Sequence, residues 1–389
     1  MSSQFLSIEH PTAHIASLPI AGEVFRERGF LPASDPLTEF PGNSEFSILD
    51  ELGRDLPSLL HDRAFRQYAR GLKIPLWPEG PVRVEDLPAL RLYYLRGGFL
   101  ASAYVNQVGE EPVLSLPANI AGPLCRACGL LQRPPMLSYD GYALYNWKRF
   151  RKDGPVALGN IDTIQNFVHL YDEHWFILVH VEIEALAARV LDAIAKVQLA
   201  LANGGLALID SALCTIADSV RQQVRVLRRI PEEMDPALYY RIFRPYIRFF
   251  ENISYETALI GKPSAMVRMN FRGETGAQSS IMPTLVPFMK IPHKLSMLTN
   301  HLADMRDYMP CEHRRLIEAV EAMPAIRDVA DDEPYNAVLD AMADFRTIHY
   351  GWAQEYINRR TADPRGTGGM PYMQWLQQLI DETRAFRKL

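Results

Sequence analysis

The sequence predicts an all-α protein, and three observations carry that reading. Apolar residues recur at three- and four-residue spacing through most of the long segments, the periodicity of a helix with one buried face. After Asn160 a stretch of about forty residues runs without proline and stops at Gly204 and Gly205, a helix-terminating pair. The first 160 residues are instead cut into short pieces by proline and glycine, as in "LPASDP", "EFPGNS", "IPLWPEGPVRVEDLP" and "KDGPVALGN". Two lobes follow: a smaller, mostly helical N-terminal domain over 1–155 and a large helical bundle over 156–389. The length of 389 residues suits two units at a prior of ~150 residues per domain.

In chain order, "FSILDELGRDLPSLLHDRAFRQYARGL" and "ALRLYYLRGGFLASAYVNQ" have helical spacing and belong to the smaller lobe. A short extended piece fits near "EPVLSLP". The proline-free run "DTIQNFVHLYDEHWFILVHVEIEALAARVLDAIAKVQLALANGG" reads as one long core helix. Further helices are expected in "LALIDSALCTIADSVRQQVRVLRRI", in "ALYYRIFRPYIRFF", around 296–322 and in "YNAVLDAMADFRTIHYGWAQEYINRR". Near the end, "TADPRGTGGMP" reads as a loop. There is no internal repeat and no low-complexity segment.

Composition narrows the function. With 48% hydrophobic residues, 22% charged and a net charge of -5, the chain has the make-up of an ordinary globular protein. Its mild acidic excess argues against nucleic-acid and anionic-membrane partners, since both need clustered Lys and Arg to displace counterions. A small molecule is the expected partner. The four cysteines, Cys125, Cys128, Cys214 and Cys311, are too few and too scattered for a secreted disulfide framework. No signal segment or apolar run of ~18 residues occurs, so a cytoplasmic location is expected. "CRAC" (Cys125–Cys128) lacks the second pair a zinc site needs and reads as a helical surface or core pair. "GTGG" lacks the lysine and hydroxyl of a phosphate loop, and there is no G-x-S-x-G elbow.

One histidine raises a sharper question. Asp331, Asp332 and Pro334 make a helix start, and from there Tyr335, Val338, Leu339, Met342, Phe345, Ile348, Trp352 and Tyr356 form an apolar stripe on which His349 lies. One reading is a core histidine with both ring nitrogens hydrogen-bonded. Another is a haem ligand. An imidazole for the iron, flat apolar walls from Phe345 and Trp352, and a cation for a propionate in Arg346, one turn away, are the groups a haem pocket needs. Gly351, costly inside a helix, suggests that something bulky approaches the backbone there.

Six segments together resemble the indoleamine 2,3-dioxygenase family: "RPPMLSYDGYALYNWKR", "FRPYIRFFENISYE", "FRGETGAQSS", "DMRDYMPCEHRRLIEAVEAMPAIRD", "FRTIHYGWAQEYI" and "GTGGMPYMQWL". The likeness runs from about Arg133 onward, while the first 130 residues resemble the family only loosely. It implies a large helical domain holding haem b, capped by the smaller one, with ferrous iron binding O2 opposite His349 and L-tryptophan or a related indole alongside. The product implied is N-formylkynurenine, and an electron donor must keep the iron ferrous. By resemblance, His349 is the proximal iron ligand and Arg346 lies near a propionate, with Trp352 beside the cofactor. Arg244 would pair with the substrate carboxylate, which suits a planar two-pronged cation; the other reading of Arg244 is a solvated helix charge. Gly273, Thr275, Gly276 and Ala277 match the loop passing over the haem. Gly366, Thr367 and Gly368 match a loop over the substrate that offers Thr367 to its ammonium group, or else a plain linker. Tyr139 and Phe176 would line the indole pocket.

Departures from the family pattern are informative. His180 stands where animal members have a distal serine and tryptophan 2,3-dioxygenases a histidine, so it would contact the indole N–H or bound oxygen; a two-residue gap near "VHVEIEAL" would move it away. Tyr142 replaces a smaller pocket residue, and Tyr239 and Tyr240 replace phenylalanines beside Arg244. The more polar pocket leaves three functions open: a tryptophan-cleaving dioxygenase, a relative that oxidises or rearranges a modified tryptophan in secondary metabolism, and a haem-based sensor. Arg244 and the "GTGG" loop speak against the sensor, which needs no amino-acid clamp.

Overall fold

The computed structural model describes residues 23–256, 268–361, 365–369 and 372–389. Helices dominate. The first part carries α1 (Glu23–Arg28), α2 (Ser47–Leu59), α3 (Phe65–Gly71), α4 (Leu87–Val105) and α5 (Ala118–Leu130). Helix α4 is buried on nearly every face, including Arg96, whose guanidinium is held by Asp50, Gln165 and the Thr38 carbonyl. A buried cation persists only when its donors are satisfied in this way. Cys125 and Cys128 lie in α5 as buried, free thiols, a core pair rather than a surface one.

The second part is built on α6 (Tyr171–Asn203), α7 (Ala207–Leu227), the single turn α8 (Pro236–Leu238), α9 (Ile281–Phe288), α10 (Met297–Met305), α11 (Cys311–Glu321), α12 (Asp332–Tyr356) and α13 (Met373–Ala385). The long helix starts at Tyr171, nine residues later than the proline-free run predicts. The reason is local: the buried Glu173 carboxylate, in the first turn, accepts the N–H groups of Phe167 and Val168 and holds that stretch outside the helix. At the other end Gly204 takes the left-handed conformation (φ 73°) that stops it, as the sequence predicts.

Helix α7 packs between α6 and α12. Two indoles fix the register: Trp175 Nε1 donates to the Arg229 carbonyl at 3.0 Å and Trp352 Nε1 to the Leu227 carbonyl at 3.1 Å. The start of α6 and the end of α12 therefore meet at the same end of α7. That pairing sets α12 antiparallel to α6 and brings residue 349 level with residue 180.

Strands are few: β1 (Ser115–Leu116), β2 (Lys148–Arg149), β3 (Ile161–Asp162), β4 (Phe250–Tyr255) and β5 (Arg268–Phe271). The β1 strand pairs parallel with β4, β4 antiparallel with β5, and β2 antiparallel with β3. The expected helix over "ALYYRIFRPYIRFF" is instead α8, a π-turn (Tyr239–Phe243), a 3-10 turn (Arg244–Ile247) and then β4. Pro245 explains the break, because it has no N–H to give and its ring clashes with the preceding turn. One contiguous apolar cluster runs from Phe25 to Tyr356. No helix among the described residues is long and apolar enough to cross a membrane.

Candidate active site

His349, in the last third of α12, is exposed, yet the surrounding protein desolvates it enough to pull its pKa down to about 4. Accessible but enclosed, the ring faces an internal chamber rather than bulk water. The second influence on it is the charge of His180, so the imidazoles carried by α12 and α6 lie within electrostatic reach of each other. Phe345, Ile348 and Trp352 are half-buried on the same stretch of α12. A Cβ on Gly351 would meet no atom within 4 Å, so no protein group crowds the backbone there and the space is open to a bound group. Gly276, in the small-residue loop, is equally open.

On the α6 wall His180 donates from Nδ1 to the Phe176 carbonyl at 2.7 Å, and burial lowers its pKa. A carbonyl can only accept, so the proton is on Nδ1 and the neutral ring presents the Nε2 lone pair. Its ring lies 4.6 Å from Phe176 and 5.9 Å from Tyr139, centroid to centroid. Phe176 in turn contacts Tyr239, Phe243 and Tyr142. The aromatic wall predicted from sequence is thus assembled around His180.

Tyr142 lies in a π-turn at Asp140–Leu144 that Tyr139 caps at its start, and Tyr239 and Tyr240 lie in the one at Tyr239–Phe243. Such turns are often found at functional sites. Tyr139 donates to Glu184 at 2.8 Å and Tyr142 to Glu173 at 3.1 Å. Burial raises Glu173 and Glu184 to about 7. Ser279 also donates to Glu184 at 2.6 Å, and the second carboxyl oxygen of Glu184 has no partner.

Three loops close the chamber. Arg244 is buried, stacks on Tyr240 at 5.1 Å and donates to the Arg365 carbonyl at 2.6 Å, leaving its Nε without a partner. The alternative of a solvated surface charge is excluded by that burial. Phe249 N–H bonds the Thr367 carbonyl at 2.9 Å, and the Thr367 side chain is buried. Gly273 lies against the 247–249 backbone, where a Cβ would come within 2.4 Å of the Ile247 carbonyl oxygen. Gly368 touches His301 and Thr275, so the 244–249, 272–278 and 365–369 segments are keyed together.

Arg346 differs from expectation in its orientation. Its terminal nitrogens bond the Leu379 carbonyl, Thr383 and His293 Nε2, and His293 Nδ1 pairs with Glu382 at 2.7 Å. Burial lowers the guanidinium to about 10, still a cation at neutral pH. It contributes charge near His349, but its fork is spent on α13, as complete burial demands.

Sequence reasoning missed Glu184, Glu274 and Glu173. Glu184 lies one turn from His180 on the same face, and Glu274 is the lone acid in the small-residue string "GETGA", so both signals were present. No group of three His, Cys, Asp or Glu side chains able to hold a bare ion occurs among the described residues. A cofactor that brings its own nitrogen donors and needs one imidazole fits this donor set, and the opening beside Gly276 and Gly351 fits a flat group.

The chain matches the family model described as indoleamine 2,3-dioxygenase over residues 22–364, beginning well ahead of the motifs near Arg133. It is 28% identical to indoleamine 2,3-dioxygenase 1 of Rattus norvegicus, covering 90% of this chain and 91% of the relative. It is 29% identical to the indoleamine 2,3-dioxygenase of Saccharomyces cerevisiae, covering 85% and 78%. A 6-hydroxytryptophan 2,3-dioxygenase of Fusarium equiseti is 25% identical, covering 87% and 86%.

Proposed function

The chain belongs to the indoleamine 2,3-dioxygenase family, haem-dependent oxidoreductases that act on tryptophan or related indoles, and within it we propose cleavage of the C2–C3 bond of L-tryptophan. The observation that supports this reading is the pair of desolvated imidazoles, His349 on α12 and His180 on α6, within electrostatic reach of each other. His349 would hold haem b through its iron, with Gly276, Ala277 and Trp352 beside the ring and Arg346 supplying positive charge toward the propionates. Bound haem, kept ferrous by an electron donor, supplies the oxygen activation that opens the indole ring and gives N-formylkynurenine.

The chain's own residues bind, orient and exclude water. Arg244, with an unpartnered Nε, takes the substrate carboxylate in a bidentate or stacked geometry that lysine would not reproduce. Thr367 faces the amino group. Phe176, Tyr139, Tyr142 and Tyr240 bracket the indole and its side chain, and removing water there strengthens each polar contact. Because His180 carries its proton on Nδ1, its Nε2 accepts a hydrogen bond, which matches the indole N–H. His180 then fixes the ring's orientation and holds that proton.

A second reading is favoured by the polar wall. Tyr142 and Glu173 offer a buried hydrogen-bonding pair where an unmodified indole presents only C–H groups, and one relative is named for a hydroxylated tryptophan. Haem-loaded, reduced protein given L-tryptophan and 18O2 tests both. Formylkynurenine carrying two labelled atoms is expected; no turnover of tryptophan with turnover of a ring-hydroxylated analogue favours the second reading, and one labelled atom would exclude dioxygenation.

A further inference from the structure

Glu274 is buried at 3% exposure and makes no hydrogen bond or ion pair among the described residues. It follows Gly273, which is locked against the 247–249 backbone, and precedes Thr275, Gly276 and Ala277 at the edge of the chamber. The carboxyl group acts electrostatically on three tyrosines from two elements: Tyr139 and Tyr142 at the first π-turn and Tyr239 in the second. Those tyrosines gather around Phe176 and His180, and the buried carboxyl lies within electrostatic reach of that cluster. Tyr239 also feels the charge of Arg244. Glu274 and Arg244 thus both act on Tyr239, and among the described residues they do not pair with each other.

We propose that Glu274 is a specificity-determining residue that accepts the α-ammonium group of the substrate while Arg244 takes its carboxylate, so that the two form a clamp for a zwitterionic amino acid. This rests on the reading of the pocket as an indole amino-acid site. An isolated buried carboxyl is costly unless a ligand completes it, and Arg244, which acts on the same Tyr239, is a buried cation with an unused donor. Without ligand, burial raises Glu274 to about 8, so it is protonated at neutral pH. An ammonium group then displaces that proton to solvent and leaves a carboxylate–ammonium pair, with Tyr139, Tyr142 and Tyr239 around the acid and Arg244 beyond Tyr239. Thr367 would share the same ammonium group without carrying charge.

The test uses ferric, haem-loaded protein and calorimetric titration at pH 7 with L-tryptophan, tryptamine, which lacks the carboxylate, and indole-3-propionate, which lacks the ammonium group. Glu274→Gln, nearly isosteric, is expected to weaken tryptophan and tryptamine tenfold or more and to leave indole-3-propionate within about twofold. Titrations in buffers of different ionisation enthalpy should show release of close to one proton per tryptophan in the unsubstituted protein and close to none in Glu274→Gln. Equal losses for all three ligands, or unchanged tryptophan affinity with unchanged proton release, overturn the ammonium assignment alone. If the unsubstituted protein binds none of the three, the indole reading falls and the clamp falls with it.

Discussion

Glu274 should make the stability of the haem-free protein depend on pH in a way that a single substitution removes. Its folded pKa of about 8 lies above the ordinary carboxyl value of 4.5. The folded state therefore binds more protons than the unfolded chain between these values, and stability falls as pH rises through 8. From pH 7 to pH 8 the linkage relation gives a loss of about 1 kcal/mol from this residue. Glu173 and Glu184, both at about 7, together lose about 0.7 kcal/mol over the same interval. His301 and His349, both at about 4, contribute in the opposite sense, a gain of about 0.3 kcal/mol, and His180 and His293, also held below their ordinary value, act in the same direction. These two sets oppose each other, and Glu274 supplies the larger part of the slope. For a chain of this length the loss corresponds to a fall of about 1–2 °C in melting temperature. Differential scanning calorimetry of unsubstituted protein and Glu274→Gln at pH 7.0, 7.5 and 8.0 reads it directly. A markedly shallower profile for the variant is expected, and the same slope in both proteins would refute the burial argument.

Four further outcomes follow from the geometry. His349→Ala should abolish haem retention after reconstitution and desalting, and a full complement of bound haem would remove it as the iron ligand. Arg244→Ala should weaken L-tryptophan binding at least tenfold, the cost of losing a charge-assisted hydrogen bond of about 1.5–3 kcal/mol, with tryptamine unaffected; equal loss for both would take Arg244 out of carboxylate recognition. In His180→Ala we expect normal haem content with about tenfold slower turnover, and a smaller loss with 1-methyltryptophan, which has no indole N–H to donate; identical losses with both substrates would exclude the acceptor role. Gly273→Ala should destabilise the protein by about 1–3 kcal/mol, because the added methyl carbon meets backbone that cannot swing away; an unchanged denaturation midpoint would mean the loops are not locked there.

The helical architecture and the residues of the site were legible in sequence to different depths. Helix α12 and the terminator at Gly204 followed from apolar spacing and turn chemistry, which are local. The start of α6 was not, because Glu173 reaches back to the Phe167 and Val168 amides and that contact overrides helical periodicity. The fate of "ALYYRIFRPY" lay in Pro245, whose effect on the preceding turn was underweighted. His349 stood out through its stripe, and Arg244 and Tyr139 came from resemblance. Arg346 was found but not its direction, since the partners that claim it, Thr383 and His293, lie thirty-seven and fifty-three residues away in the chain. Glu274 went unremarked because an acid in a loop usually means solvent, and only the packing around it shows otherwise.

Both aromatic walls of the chamber are carried on π-turns, each of which accommodates about one residue more than the α-helical repeat. Loss of that residue would restore the tighter winding and swing every following side chain by about 100°, while the long helices stay in register. A one-residue deletion inside either turn would therefore re-aim its tyrosines, a change no point substitution at the same positions can make.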